Sequence, residues 1–577
     1  MKSKWFALGC LASIIILIVV LFLGFRGISK LGRNFSQNTA SVKVAPNSYL
    51  QLDLKGEIVT YNEFEDGFLA DQSLNAHEII QKIDQAAKDV NISGIFLEPS
   101  FISCGYADLN EIMTALERFR AQGKPVYAYL DFAFNRDYLL ASAAEKIYLN
   151  PSASGGILLT GVGGNVIFYK DLLDKIGIDV TIVHAGKYKG AGENYSRNSF
   201  SEPVKENLDR ALGAIYSRIL ETLARNRNLT ADEIKYIYEK RDELFISKNK
   251  ALDYKLVDDL YYRDELLDLL NLKDHLIDFE KYRVQQTVTA ANKIAVVYAQ
   301  GTIAPSNSIT SALNLSASKI NKILDELQSN RSVKSIVLRV NSPGGSALIA
   351  EIILNKIKQV RKVKPVIISM GNMAASGGYY ISVNSDYIFA DPFTITGSIG
   401  VVSIVPNISG LTDKIGINSE RIGNGKYNNV FNLYEKPSQA EIQSLQKSVN
   451  STYMEFKMRV SEGRSLTLNE VEEVAQGMIW ESSDAKRNGL IDEVGMLSDA
   501  VLKAAELANI SNYQIDYYPH KKSMLEELLK EKFNIDISAK IMEKSIPQEL
   551  KFDEMIEFYK NIKTDPVQAI MPYEIQF

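Results

Sequence analysis

Two tandem α/β units, each built on a mainly parallel sheet, are what this 577-residue sequence predicts. Three observations carry that expectation. The chain is too long for one hydrophobic core. Short β-branched runs alternate with amphipathic helical stripes, the pattern of strands joined by helical crossovers. And the first part of the chain recurs, in the same order, in the second.

At the N-terminus, Trp5 to Phe25 carries no charge and Ile14 to Leu23 is almost purely aliphatic. About 20 apolar residues span a bilayer core, so residues 1–33 are expected to form a single membrane anchor, with membrane lipid as its partner. A cleaved leader is disfavoured because Phe25-Arg26-Gly27 offers no small-x-small site, and Cys10 precedes the apolar run, which argues against lipoprotein processing. Lys2 and Lys4 with the α-amino group balance Arg26, Lys30 and Arg33, so charge leaves the orientation open.

The repeat defines the next two units, 34–285 and 286–512. Leu54-Lys55-Gly56-Glu57-Ile58 returns as Ala299-Gln300-Gly301-Thr302-Ile303, and Lys124-Pro125-Val126 as Lys364-Pro365-Val366. Ile147-Tyr148-Leu149-Asn150-Pro151 returns as Ile388-Phe389-Ala390-Asp391-Pro392. Lys187-Tyr188 returns as Lys426-Tyr427, and Leu256-Val257-Asp258-Asp259 as Leu490-Ile491-Asp492-Glu493. Within the second unit, Ile320, Ile323, Leu324 and Leu327 form a helical stripe. A buried strand follows at Ser335–Val340, then the turn Asn341-Ser342-Pro343-Gly344-Gly345-Ser346, then a second stripe of Ile349, Ile353, Ile357 and Val360. The tail, 513–577, is amphipathic from Tyr517 onward, with Leu525, Leu528, Leu529, Met555, Ile556, Phe558 and Tyr559 among Lys and Glu.

The chemistry concentrates at 364–401. Val366-Ile367-Ile368 reads as a buried strand, Tyr379-Tyr380-Ile381 as the start of a helix, and between them lies Ala374-Ala375-Ser376-Gly377-Gly378. A serine among residues with almost no side chain, at a strand-to-helix turn, exposes its hydroxyl and leaves its backbone open to close approach. The following N–H groups favour a developing negative charge. A mere tight turn is the competing reading. The Ser342-Pro343-Gly344-Gly345 turn has neither GxxxxGK[ST] nor GxGxxG, so it is not read as a nucleotide cradle. In the preceding βα unit it is placed to supply a second oxyanion donor.

Composition narrows the rest. A net charge of -5 gives no reason to expect nucleic acid, and two cysteines, Cys10 and Cys104, support neither a disulfide framework nor a metal site. No cofactor is expected. Of four histidines, His77, His184, His275 and His520, only His520 follows the serine, so a Ser-His-Asp triad is poorly supported unless folding brings His184 near. A lysine of depressed pKa is the alternative base, and composition alone selects none of them.

AASGGYY with TGSIGV, the upstream NSPGG, and HAGKYKGAGENYSRNSFSEP together resemble the signal peptide peptidase A family (peptidase family S49) in its long, duplicated, membrane-anchored form. The resemblance spans essentially the whole soluble chain, down to MPYEIQF. It implies two Clp/crotonase-like domains and a Ser-Lys dyad shared between the halves, with Ser376 as nucleophile and Lys189 of KYKG as general base. It also implies a homo-oligomer, usually a tetramer, on a bacterial inner membrane, facing the non-cytoplasmic side and degrading remnant signal peptides.

The repeat tests that transfer independently. Lys189 falls opposite Asn428, Ser376 opposite Asn135 or Arg136, and NSPGG opposite Glu98-Pro99-Ser100-Phe101, where the paired glycines are gone. Each half keeps what the other has lost, as a site shared between copies would leave it. The expected oxyanion donors are Gly377 with Gly345 or Gly344, and Ser398 is either a hydrogen-bond partner of Lys189 or a plain turn residue. Two further classes stay open: a crotonase-like acyl-CoA enzyme, and a catalytically silent membrane scaffold.

Overall fold

A computed structural model of the chain describes residues 44–63, 74–283, 290–306, 314–521 and 567–571. Residues 1–33 and the apolar positions between Leu525 and Tyr559 lie outside these. Among the described residues no helix is long and apolar enough to cross a membrane.

Each unit holds one principal sheet. In the first, the strands run in the order Asp259–Leu260, Lys146–Leu149, Val126–Leu130, Ile92–Ser103, Ser48–Val59, Leu276–Asp278, every neighbour parallel. Helices cover the faces, so strand interiors such as Ile95-Phe96-Leu97 are fully buried and read as continuous apolar runs. In the second, the order is Ile479–Glu481, Ile395–Gly397, Val366–Ala375, Val333–Ser342, Lys293–Gln300, Gln514–Tyr518. Here only Ile395–Gly397 against Ile479–Glu481 is antiparallel along that path. Gln514–Tyr518, placed in the tail by the sequence reading, is thus the edge strand of this sheet.

The duplication extends to individual contacts. Tyr138 Oη donates to Leu256 O at 2.8 Å, and Tyr379 Oη to Leu490 O at 2.9 Å. Asp258 accepts from Ile147 N and pairs with Arg227, while Asp492 accepts from Ile388 N and pairs with Arg464. Each arginine closes a helix of 26 residues, Glu202–Arg227 and Gln439–Arg464.

A third, antiparallel sheet joins the units, in the order Gly344–Ser346, Gln568–Ile570, Val401–Asn407, Asp179–Ala185. Seven consecutive pairs, from Val401 opposite Ala185 to Asn407 opposite Asp179, fasten the strand before Lys189 to the second unit.

Candidate active site

Ser376 stands between the end of strand Val366–Ala375 and the helix Gly377–Ser382, with φ 53° and ψ -114°. A positive φ on a non-glycine residue is strained and persists only where neighbours impose it. Ser376 N donates to Gly397 O and Tyr380 N to Ser376 O, each at 2.8 Å, which fixes the turn from both sides. The absence of side chains that marks this stretch in sequence is used directly. A Cβ on Gly378 would stand 2.6 Å from Ser342 O, so the serine turn and the Gly-Gly turn abut backbone to backbone. Gly344 at φ +102° and Gly345 at φ +148° form the facing turn, and a Cβ on Gly344 would fall 2.7 Å from Gly377 N. Gly344 N itself donates to Ser342 Oγ at 3.2 Å.

Lys189 arrives from the other unit. The strand Asp179–Ala185 ends in a turn in which Lys189 N donates to Gly186 O at 3.2 Å and Tyr188 N to Gln476 O at 2.9 Å. Its side chain crosses into the second unit, where Nζ lies 2.8 Å from Ser376 Oγ and 3.0 Å from both the carbonyl oxygen and Oγ of Ser398. Lys189 is 2 % exposed and Ser376 fully buried. Burial alone holds the lysine well below its ordinary range, because an ammonium loses its hydration there without gaining a carboxylate. A neutral amine fits the three contacts: two N–H bonds run to the Ser398 oxygens and the lone pair faces the Ser376 hydroxyl. Ser398, at φ 51°, is held by donating its own N–H to Met478 O at 2.7 Å.

The structure therefore brings together Ser376, Lys189, Ser398, Gly377, Gly344 and Gly345. It leaves the histidines elsewhere. His184 sits exposed on its strand with Nδ1 3.0 Å from Gly186 O. His77 is half-buried with Nδ1 2.9 Å from Tyr298 Oη, and loss of hydration holds its imidazole down at about 3. Two contributors escaped sequence reading. Gly477 donates its N–H to Ile399 O at 2.8 Å, and a Cβ there would stand 2.5 Å from Lys189 N. Nothing in Gln476-Gly477 distinguishes it from any turn. The segment 567–571 also lies at this site, too short to show a period.

A buried amine aimed at a serine hydroxyl beside paired backbone turns, on a twofold α/β frame, is the equipment of a serine protease. The chain belongs to Peptidase family S49, whose model matches residues 118–276 and 358–511, one segment in each unit. It is 36% identical over 460 residues to Protease 4 of Haemophilus influenzae, covering 76% of this chain and 74% of that protein. Over 492 residues it is 31% identical to the chloroplastic serine protease SPPA of Arabidopsis thaliana, covering 81% of this chain and 70% of that one. A putative signal peptide peptidase SppA of Enterococcus faecium is 38% identical over 179 residues, 31% of this chain and 52% of its own. The acyl-CoA and silent-scaffold readings gain no support from these relatives.

Proposed function

We propose that Ser376 is the nucleophile and Lys189 the general base of a dyad that cleaves peptides, and that the peptides include signal sequences left in a membrane after preprotein processing. The observation that carries the reading is the 2.8 Å approach of a buried Lys189 Nζ to Ser376 Oγ across 187 residues of chain. An extended peptide lies as a strand beside Gly344–Ser346 and is held by main-chain hydrogen bonds. Lys189 takes the hydroxyl proton as Ser376 Oγ attacks the carbonyl. Gly377 N–H, with Gly345 N–H or Gly344 N–H, receives the oxyanion, each such donor being worth about 3–4 kcal/mol. Lys189 then protonates the leaving amine and activates the deacylating water. Ser398 holds the amine in line from below.

The signal-peptide substrate follows the printed name of the Enterococcus relative. The apolar run at Trp5–Phe25 supports a membrane anchor, and residues 34–285 and 286–512 then serve as the two domains that contribute the lysine and the serine. Anchoring in a bacterial inner membrane, an extracytoplasmic catalytic portion and a homotetramer complete the proposal by family resemblance.

The test is hydrolysis of a peptide by the purified protein, its Ser376→Ala variant and its Lys189→Ala variant, with folding of each checked by circular dichroism. Ser376→Ala should abolish turnover. Lys189→Ala should lower kcat/KM by roughly 10²–10⁴-fold, the usual worth of a general base. Full activity in Lys189→Ala places the base elsewhere and ends the shared-dyad reading.

A further inference from the structure

One polar side chain of the first unit stands in for a missing strand in the second. Ile479–Glu481 is an edge of the second principal sheet, paired antiparallel with Ile395–Gly397 through Ile395 opposite Glu481, Thr396 opposite Trp480 and Gly397 opposite Ile479. An edge strand turns the N–H and C=O of every second residue away from the sheet, where they need other partners. Ile479 is such a residue, and it is buried. Asn207, on the helix Glu202–Arg227, meets both groups with one amide. Its Oδ1 accepts from Ile479 N at 2.8 Å, and its Nδ2 donates to Ile479 O at 3.0 Å. Arg210, one turn further along the helix, adds a 3.2 Å bond from Nη2 to the same carbonyl and lies over the Trp480 ring. Asn207 is itself buried.

That rung stands in register with the dyad. Gly397, opposite Ile479, turns its carbonyl the other way and accepts from Ser376 N at 2.8 Å. Met478 O, one residue before Ile479, accepts from Ser398 N at 2.7 Å, and Ser398 supplies two of the three oxygens around Lys189 Nζ. Gly477, one residue further back, lies against the Lys189 backbone. The duplication sets the asparagine apart. Aligned on their N-caps Ser201 and Ser438, the helices Glu202–Arg227 and Gln439–Arg464 place Ser444 at the position of Asn207, and Ser444 is exposed. The asparagine belongs to the copy that carries the lysine.

We propose that Asn207 is a positioning residue of the peptidase, holding Gly477-Met478-Ile479 in the register that brings Lys189 and Ser398 to Ser376. The inference rests on the dyad assignment made above. Asn207 acts through Ile479 and not on a reacting atom. Without its amide the buried Ile479 N–H loses its acceptor, and an unpaired buried donor costs enough for the edge strand to shift toward another partner. Such a shift carries Met478 O and Gly477 with it, and through them Ser398 and Lys189. Displacing a reacting group by an ångström costs about 100-fold, while the edge assigned to substrate, Gly344–Ser346, is left as it was. The loss therefore belongs in kcat and not in KM.

Turnover of a fluorogenic peptide by the full-length protein and by its Asn207→Ala, Arg218→Ala and Ser376→Ala variants tests this, with rates expressed per folded molecule from circular dichroism. Arg218 lies on the same helix and donates to Ser483 Oγ at 3.0 Å, so its removal weakens the same contact between units away from the Ile479 rung. Asn207→Ala should lower kcat roughly 10- to 100-fold with KM within about twofold of wild type. Arg218→Ala should keep at least about half of the wild-type kcat. Should Asn207→Ala not fold, Asn207→Ser, whose shorter side chain cannot span both Ile479 groups, should still lose about fivefold in kcat, the worth of one hydrogen bond. With Ser376→Ala inactive, a wild-type kcat in the folded Asn207 variant, a loss carried by KM, or an equal fall in Arg218→Ala overturns the inference and leaves the dyad standing. Failure of both Asn207 variants to fold overturns it too. Turnover that survives in Ser376→Ala, or a wild type that cuts nothing, removes the dyad and the inference together.

Discussion

At Lys189 the controlling quantity is the free energy of an amine out of water. Its folded pKa lies below the ordinary 10.5, pushed there by burial, so the reactive neutral form grows in as pH rises through that depressed value. The kcat/KM profile should therefore show an acid limb belonging to Lys189. Ser398→Ala removes one of the oxygens that accept from Nζ, and an ammonium loses more by that than an amine does. The acid limb should move to lower pH in this variant, while kcat/KM on its plateau falls about tenfold, the worth of one net hydrogen bond. A limb that stays in place or moves up in the pH–rate profile shows that Ser398 does not act on the lysine. Much at this scale was legible beforehand. The small-residue turn pointed to Ser376 and the family resemblance to Lys189, and the repeat agreed, since each had decayed in the opposite copy. The matched Tyr138 and Tyr379 contacts now make Asn135 the counterpart of Ser376, and its side chain is spent on Thr160 and Gly161 instead. Ser398 was legible only as an option, since a serine in a glycine turn looks the same whether or not it is used.

Among elements, the decisive joint is the antiparallel ladder between Asp179–Ala185 and Val401–Asn407, closed by the Gln476-Gly477 turn against Tyr188 and Lys189. Gly477 has φ +83°, and a Cβ would press on Lys189 N, Cα and Cβ at 2.5 to 2.7 Å. Gly477→Ala should push the lysine backbone away and lower kcat/KM about 100-fold, the usual result of displacing a reacting group by an ångström. The first principal sheet, and the second beyond its edge strand Ile479–Glu481, should keep their far-ultraviolet circular dichroism. Strands and helices of the two units were readable because parallel strands buried on both faces are simply apolar runs. The cross-unit ladder was not readable. Val401–Asn407 is just as apolar as those runs, and nothing in a period of two names its partner.

For the molecule as a whole, polar groups buried between the units fix how they meet. Arg339, fully buried on strand Val333–Ser342, lies 3.1 Å from Glu111 and 3.8 Å from Asp108, both on helix Tyr106–Ala121 of the first unit. Burial pushes both carboxyls up, and the arginine opposes that rise. Asn372, on the strand that leads to Ser376, accepts from Ala107 N at 3.0 Å and from Asp108 N at 3.2 Å. Arg339→Met strands two buried carboxylates and should cost about 3–5 kcal/mol in denaturant unfolding, the usual loss when one partner of a buried pair is removed. An arginine inside Ile336-Val337-Leu338-Arg339-Val340 was a visible demand for a partner. Its answer was hidden because it lies more than 200 residues away in the chain. The strand at Gln568–Ile570 was hidden for a related reason, since three residues carry no pattern and a ladder partner leaves no mark in the sequence.

The ladder that couples the units also sets a timetable. A ribosome delivers Lys189 first, Ser376 187 residues later, and Gly477 later still. At about 5–20 residues per second, the first interval lasts roughly 10 to 40 seconds. On the dyad proposed above, the nascent chain through that time carries a base with no hydroxyl to activate, and then a hydroxyl whose base is not yet clamped. On that reading the peptidase is made inert, and its site is complete only once Gly477 has been added.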